Sequence, residues 1–585
     1  MKNLGFSLIE VIIAIAIFAI ISAGTITGFI PILISNRQSS EIQIANNLAQ
    51  EGIEAARSIR NRDFNLLTVG AKGIGVSSGL WAFNGSSDVT DKYTRQISIT
   101  GTTNPDSFII NSLVTWKFLG NETKSFSQTT TLTNWQKVIA GIMNYDGLMI
   151  YSSGTTTTPY WRSYTTSSNL LGAETAMPAL TGNPRNIVIR TSPQKTEAIV
   201  GVGTSAGILY VYCFDGTSWT QDWSATIGGN ASTRRFDIAF ENTTGDAIVL
   251  YSSNTPTTNE LNFRKKLGSS DCGSGSWTGA AAFDPVQTSG LVSWVKMSSN
   301  PIAGSNLIAA LWADWNKDLS GAVWNGTTFQ NEMLSVGETK IESINTGTTF
   351  PDVESLDLAY ESVTGDLVTI WGTSSGTNGT SGVRYRLCTG NSPSCVWGTV
   401  TTPPTFADDA TNLDLSANPN TDEMVFASIG NAGSDMQIGY WSGVGWTNTA
   451  NVDISTQAPL AGTKLIATNW LISGSTTRSV IVYNDSGATN TGWYTGNRGV
   501  FSAAADVGVV TFATPQKWYE LSNNPKSKDK LIFSLSDNAS DLFVRSLSMN
   551  VGGTFTWAAP NGNVAVEPNL GQATVKPFGF AFWIK

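Results

Sequence analysis

The sequence predicts a protein of two parts: an α+β module with a long N-terminal helix and a small antiparallel sheet, and then an all-β propeller. Three observations predict this fold class. No side chain is ionised between Val11 and Ile34. Alternating strand patterns replace the helical pattern after Asp63. Residues 137–585 contain a degenerate repeat whose second strands begin 49 to 60 residues apart.

The N-terminus is a short polar leader with one cation, followed by a long apolar run with one carboxylate, Glu10, near its start. The run is long enough to cross a bilayer as a helix, and a charge inside such a helix is costly without a partner. The usual secretory pattern, with a cleavage site after the apolar core, is lacking. Cleavage after Gly5 would instead keep the helix on the mature protein, with a new amino group at Phe6.

The stretch GFSLIE, followed by an uninterrupted apolar run, resembles the N-terminus of a type IV prepilin or minor pilin. The resemblance implies that a prepilin peptidase cuts after Gly5 and methylates the new amine of Phe6. It also implies that Glu10 neutralises the N-terminal amine of a neighbouring subunit during assembly, since a buried carboxylate needs a nearby cation. The alternative is an ordinary membrane anchor that keeps Met1 and shares these residues by coincidence.

The helical pattern continues beyond the apolar run as an amphipathic helix that ends at Arg62. Its apolar residues recur at three- and four-residue steps: Ile42, Ala45, Leu48, Ala49, Ile53, Ala56 and Ile59. We expect this stripe to pack on the small sheet that follows; a solvent-exposed coiled-coil stalk is the alternative. The predicted organisation is a leader at 1–5, a helix at 6–62 with a transmembrane half, a pilin β-sheet head at 63–136 and a propeller at 137–585.

Each copy of the repeat has a strand, a turn rich in Asn, Pro, Thr and Gly, a second strand, and then usually two shorter strands. FDIAFENTTGDAIVLYSS from Phe236 and LDLAYESVTGDLVTIWGTS from Leu356 are two copies. Four strands at this period predict a β-propeller, preferably of eight blades and alternatively of seven. The C-terminal FGFAFWIK resembles a lone first strand, so we expect it to complete the first blade and remove an exposed edge. The many Trp are expected to pack between blades.

Composition narrows the function classes. The net charge of −9 argues against a nucleic-acid partner, and the lack of His excludes Ser-His-Asp catalysis and His metal sites. We therefore predict no catalytic residue and no enzyme; a glycan-active propeller that uses clustered carboxylates is the alternative. The candidate disulfides are Cys388–Cys395, across a turn-rich loop, and Cys213–Cys272, between neighbouring repeats; sequence alone leaves other pairings open.

Two sets of polar residues are candidates for a site in the propeller. The first set recurs in the first strand of the repeat and is expected to bind turn backbone or water, or alternatively to line the central channel: Asp237, Asp357, Asp414 and Glu520. The second set spaces oxygen atoms as calcium loops do: Asp314, Asn316, Asp318 and Ser320. An ordinary hairpin turn is the preferred explanation of the second set, so no cofactor is predicted and calcium is the alternative.

These patterns predict a minor or tip subunit of a type IV pilus-like filament that displays a propeller for adhesion or ligand binding. The expected partners are other pilin subunits, prepilin peptidase, the inner membrane before assembly, and a glycan or surface ligand. The expected location is the membrane before assembly and then an extracellular pilus at the cell surface. The alternatives are a pilin-anchored enzyme acting on glycans, and a secretion-system pseudopilin, whose heads are normally small.

Overall fold

In the computed structural model of the protein, the described residues are 7–584 with several gaps. The gaps are 63, 78, 103–106, 134–144, 230–232, 257–258, 284–289, 317, 331, 334–341, 344–353, 374–381, 404–409, 431–435, 449–462, 485–490, 505–514 and 572–574. The chain divides into two compact units, Met1–Ile142 and Met143–Lys585. The predicted boundary between residues 136 and 137 lies outside the described residues.

The first unit begins with a single helix, α1 (Leu8–Arg62), of 55 residues. Among the described residues, α1 is the one helix that is long and apolar enough to cross a membrane. Its first half exposes large apolar side chains from Leu8 to Ile34. Its second half buries most of the predicted stripe, including Ala45, Ala49 and Ile53. The second half therefore packs on its own sheet.

That sheet consists of antiparallel strands in the order β1-β5-β6-β7, with β4 beside β5, while β2 and β3 form a separate hairpin. The strands are β1 (Gly70–Lys72), β2 (Ile74–Ser77), β3 (Leu80–Phe83), β4 (Asp88–Thr90), β5 (Tyr93–Gly101), β6 (Ser107–Phe118) and β7 (Glu122–Thr133). Gly52 marks a close approach of the helix to the sheet, because a Cβ there would collide with Ser112 Oγ. A long helix packed on a small antiparallel sheet is the predicted first module.

The second unit is a β-propeller, in which the described residues form eight antiparallel sheets, called blades 1 to 8 here. Blade 1 contains β8 (Gly147–Ser152), β9 (Pro159–Thr165), β10 (Leu170–Leu171) and β11 (Thr175–Ala176), and blade 2 contains β12 (Pro184–Thr191), β13 (Ala198–Thr204), β14 (Ile208–Phe214) and β15 (Trp219–Thr226). Blade 3 contains β16 (Phe236–Phe240), β17 (Ala247–Ser252), β18 (Leu261–Lys266) and β19 (Ala281–Phe283). Blade 4 contains β20 (Val292–Ser299), β21 (Ile308–Asp314), β22 (Asp318–Trp324), β23 (Phe329–Gln330) and β24 (Glu342–Ser343).

Blades 5 to 8 repeat the four-stranded pattern. Blade 5 contains β25 (Leu356–Tyr360), β26 (Leu367–Gly372), β27 (Val383–Thr389) and β28 (Val396–Trp397), and blade 6 contains β29 (Ala410–Ala417), β30 (Met424–Gly430), β31 (Met436–Trp441) and β32 (Trp446–Asn448). Blade 7 contains β33 (Ile466–Ser473), β34 (Thr476–Asn484), β35 (Thr491–Asn497) and β36 (Val500–Ala504). Blade 8 contains β37 (Gln516–Asn523), β38 (Lys530–Asp537), β39 (Leu542–Met549) and β40 (Phe555–Ala558). The short β41 (Pro560–Asn563) follows, and β42 (Phe578–Phe582) is the last strand.

The C-terminal strand completes the first blade, which confirms that prediction. β42 pairs antiparallel with β8, with Phe578 opposite Tyr151 and Phe582 opposite Gly147. The first strands of successive blades contact one another in order, and β37 of blade 8 contacts β42 of blade 1. Pairing the two ends of the propeller removes the free edge that blade 1 would otherwise expose.

Apolar side chains fill the spaces between neighbouring blades. Trp312 and Trp324 of blade 4 pack with Ile248 and Leu250 of blade 3 in one buried cluster. Similar clusters join blades 2 and 3 and blades 5 and 6. Polar contacts reinforce the packing: the Trp441 indole N–H of blade 6 donates to a carboxylate oxygen in the turn of blade 5. These Trp residues therefore have the structural role that the repeat predicted.

Candidate functional site: the central cavity of the propeller

The processing residues Gly5 and Phe6 lie outside the described residues. Glu10 lies in the first turn of α1, where its Oε2 accepts the backbone N–H of Ser7 at 3.0 Å. This local bond occupies a free N–H group at the helix N-terminus. The carboxylate lies at the exposed start of α1, beside apolar side chains that are also exposed.

A cavity of about 630 Å³ lies where the first strands of the blades converge. Every blade contributes to its lining, from β42 of blade 1 to β37 of blade 8. Its charged lining residues are Arg190, Arg234, Lys296, Glu354, Asp357, Asp414, Lys464, Glu520 and Lys576. The volume lies within the range of small-molecule sites, so this cavity is the candidate functional site.

The four recurring acids hold neighbouring blades together. Asp237 Oδ2 of blade 3 accepts the backbone N–H of Met297 of blade 4 at 2.9 Å. Asp357 Oδ2 likewise accepts the backbone N–H of Leu415 of the next blade at 3.1 Å. Asp414 accepts the backbone N–H of Thr468 at 2.7 Å, and Glu520 accepts that of Phe580 at 3.3 Å.

The structure thus corrects the preferred interpretation of these acids and combines it with the alternative. They do bind backbone, but mainly that of the adjacent first strand and not that of a turn. Asp357, Asp414 and Glu520 also line the cavity, whereas Asp237 is fully buried behind it. A carboxylate that accepts backbone N–H groups from the next blade explains why the position recurs in the repeat.

A fifth acid, Glu354, lies at the centre of the charge network and is 1% exposed. Its Oε1 lies 3.1 Å from Lys296 Nζ and 3.3 Å from Lys464 Nζ, and its Oε2 lies 3.8 Å from Arg234 Nη2. Burial would raise the pKa of Glu354, but the three cations outweigh burial and hold its pKa well below its usual range. The carboxylate is therefore ionised in the folded protein at neutral pH.

The charged residues of the cavity form two sectors, and the first sector consists of paired acids and lysines. Burial raises the pKa of Asp357, and the neighbouring Asp414 and Glu354 add to that rise while Lys296 and Lys464 oppose it. Burial would lower the pKa of Lys464, but the three carboxylates near it reverse the direction and raise it. Blades 4 to 7 therefore contribute a closely paired group of acids and lysines.

Blades 1 to 3 contribute a sector with more positive charge. Burial lowers the pKa of Lys576; Glu520 opposes this effect, and the positive charges of Arg234 and Arg190 add to it. Arg190 Nη2 lies 3.5 Å from Asp237, and Lys576 Nζ pairs with Glu520. The three cations Arg190, Arg234 and Lys576 thus lie near one another in this sector. Among the described residues, the same blades add one acid to it, Asp237.

The calcium candidates form the hairpin turn between β21 and β22. Asp314 Oδ1 accepts the backbone N–H groups of Asn316 at 2.8 Å and Asp318 at 2.9 Å. This is the bonding of an Asx-type turn. Ser320 lies within β22 and is fully buried. Calcium binding by this loop, the alternative to the prediction of no cofactor, stays untested.

The structure contains both candidate disulfides. The interblade disulfide, Cys213–Cys272, links β14 of blade 2 to the segment after β18 of blade 3, with a Cα–Cα distance of 5.4 Å. The blade 5 disulfide, Cys388–Cys395, closes a loop of separation 7 with the same Cα–Cα distance. Glu197 lies beside the interblade disulfide, but sulfur atoms joined in a disulfide are not thiolate ligands for a metal.

Comparisons with known proteins match the N-terminus to one family model and the chain to several solved structures. Residues 1–26 match the family model of the prokaryotic N-terminal methylation motif. No curated protein matches the chain. Similar solved structures include AofleA from Arthrobotrys oligospora, 10% identical with a TM-score of 0.33, covering 60% of this chain and 90% of its own. The fucose-specific lectin from Aleuria aurantia is 10% identical with a TM-score of 0.32, covering 66% and 97%.

The dihydro-heme d1 dehydrogenase NirN is 11% identical with a TM-score of 0.43, covering 72% of this chain and 75% of its own. These TM-scores are too low to carry an argument, so the propeller assignment rests on the strand pairing described above. The chain therefore joins a prokaryotic N-terminal methylation motif of the type IV pilin kind, in residues 1–26, to a β-propeller within Met143–Lys585.

Proposed function

We propose that this protein is a minor or tip subunit of a type IV pilus-like filament and displays its propeller as a head that binds a glycan or surface ligand. The observation that carries the proposal is the presence of both parts in one chain. The N-terminal methylation motif continues directly into a helix with an exposed apolar half. The propeller has a cavity of ligand size at its centre.

The N-terminal residues provide anchoring and assembly. Prepilin peptidase removes residues 1–5 and methylates the amine of Phe6. The apolar half of α1 holds the subunit in the membrane until assembly, and then packs against the helices of other pilin subunits. Glu10 pairs with the N-terminal amine of a neighbouring subunit, which offsets the cost of placing its charge among apolar helices.

A minor or tip position follows from the size of the head. The second unit has about three times as many residues as the first. A helical shaft brings its subunits close together, so a propeller on every subunit would crowd the shaft. A subunit present in few copies, or at the tip, avoids this crowding.

The head binds its ligand without hydrolysing it. Glycosidases commonly need two carboxyl groups placed on either side of the bond that is cleaved. In the cavity, the oxygens of Asp357, Asp414 and Glu520 already accept backbone N–H groups or pair with lysines. This arrangement favours a rigid binding site over a general acid and base.

The test is the fate of the protein in cells that produce the filament. We expect the chain in the sheared filament fraction, far below the amount of the major subunit, and we expect deletion of the propeller to abolish surface binding while filaments still form. A Gly5→Val variant should remain in the membrane, whereas Gly24→Val, in the same apolar helix but outside the cleavage site, should be cleaved normally. Absence of the chain from sheared filaments, or unchanged adhesion without the propeller, would contradict the proposal.

A further inference from the structure

The four recurring acids are already engaged by donors of the protein itself. Both carboxylate oxygens of Asp237 accept backbone N–H groups, from Ile238 and Met297. The other three recurring acids likewise have a donor on each oxygen: Asp357 from Leu358, Lys296 and Leu415; Asp414 from Lys464 and Thr468; Glu520 from Lys576 and Phe580. A metal ion or an ammonium group would have to displace these bonds.

The cations of blades 1 to 3 retain hydrogen-bonding capacity. Arg234 is 4% exposed, and among the described residues its Nε has no hydrogen-bond partner. Lys576 Nζ pairs with Glu520 alone in the described part of the chain and can donate three hydrogen bonds. Arg190 donates through Nη1 to its own neighbour, the Ile189 carbonyl, at 3.0 Å. This sector is suited to an anion.

Two further atoms of the lining are suited to hydroxyl groups. Ser416 Oγ of blade 6 and Glu354 Oε2 are buried, and both lack a hydrogen-bond partner within the described residues. Glu354 Oε2 needs a donor, so a simple anion such as phosphate, which mainly accepts, would leave it unpaired. An ammonium donor would be repelled by Arg234, 3.8 Å from that oxygen. Neutral hydroxyl groups can donate to Glu354 and bond to Ser416.

We propose that the central cavity binds a carboxylate-bearing sugar, with its carboxylate against Arg190, Arg234 and Lys576 and its hydroxyl groups toward Glu354 and Ser416. This inference rests on the proposed role of the propeller as a displayed binding head, and it names the chemical class of the ligand. Charge-assisted bonds to the guanidinium groups provide the specificity for an acidic sugar.

The experiment is calorimetric titration of the full chain in detergent with D-galacturonic acid, and with D-galactose as the neutral sugar. We expect the acid to bind and galactose to bind at least about tenfold more weakly, since hydrogen bonds to charged groups are the strong ones. Arg190→Gln should lower the affinity for the acid by about tenfold. The matched control is Arg478→Gln, because Arg478 also donates through Nη1 to the preceding carbonyl but does not line the cavity.

A second variant tests ligand binding with a substitution that should not disrupt folding. Ser416→Ala removes a hydroxyl with no partner in the described residues, so it should fold normally and bind the acid more weakly. Equal affinity for the two sugars, unchanged binding by Arg190→Gln, equal binding of inorganic phosphate, or no binding at millimolar acid would each overturn the inference. Filaments that still adhere through the propeller after such a result would leave the proposed function standing, which separates the two failures.

Discussion

Replacing Glu354 by Gln tests whether the charge network stabilises the propeller. The side chain is 1% exposed and lies within 3.8 Å of three cations. Removing one partner of a buried ion pair commonly costs about 3–5 kcal/mol. Each cation keeps another carboxylate nearby: Asp357 at 3.0 Å from Lys296, Asp414 at 2.5 Å from Lys464 and Asp237 at 4.0 Å from Arg234. We therefore expect the lower end of that range, about 3 kcal/mol.

The assay is urea unfolding followed by tryptophan fluorescence. The signal reports mainly the propeller, because 17 of the 20 Trp lie after residue 143. The midpoint of the propeller transition should fall in Glu354→Gln and stay unchanged in Asp271→Asn, an exposed acid of blade 3. A midpoint equal to that of the wild type would refute the stabilising role of the network.

The contribution of Glu354 to the stability of the propeller should depend on pH, in a direction that its pKa determines. The pKa of Glu354 is lower in the folded protein than its ordinary value of 4.5, so its ionised form contributes stability above pH 4.5 that is lost as the pH falls toward the folded pKa. The difference in unfolding free energy between wild type and Glu354→Gln should therefore shrink below pH 4.5. A difference that grows on acidification would show that the sign is wrong.

Other variants test single contacts and the two disulfides. Trp441→Phe removes the indole N–H that donates to Glu361 Oε1 at 2.5 Å and should lower the unfolding free energy of the propeller by about 1–3 kcal/mol in urea unfolding; an unchanged midpoint would contradict a role for this bond. Gly52→Ala should destabilise the first unit by about 1–3 kcal/mol, seen as earlier loss of helical circular dichroism, and adding Ser112→Ala should restore part of it. Serine replacement of the interblade disulfide, with sequence separation 59, should cost about 4 kcal/mol against about 2.5 kcal/mol for the blade 5 disulfide, with separation 7. The reverse order in urea unfolding would contradict the loop-length argument.

Local patterns in the sequence predicted much of the fold because they are repeated or periodic. The helical stripe predicted which residues of α1 pack on the sheet. The alternation in Phe236–Phe240 and its relatives predicted the first strands, and the terminal FGFAF predicted the pairing of β42 with β8. These features depend on spacing along the chain, which a single sequence contains.

The cavity could be predicted only in part. The recurring acids such as Asp357 were found because they occupy one position of the repeat. Glu354, Lys464 and Lys576 were missed, because their blades meet only in the closed ring and no motif links them along the chain. Glu354 and Lys464, for example, are 110 residues apart in sequence and form one ion pair. The signal that was available is the recurrence of an ionised residue just before or within a strongly apolar first strand.

The most direct test of the account is the mass of the N-terminal peptide of the mature protein isolated from its own cells. The account predicts a peptide that begins at Phe6, lacks residues 1–5 and carries one methyl group on its amine. The Gly5→Val variant should yield the uncleaved peptide. A wild-type protein that retains Met1 would contradict the account, because the propeller would then be held on an ordinary membrane anchor.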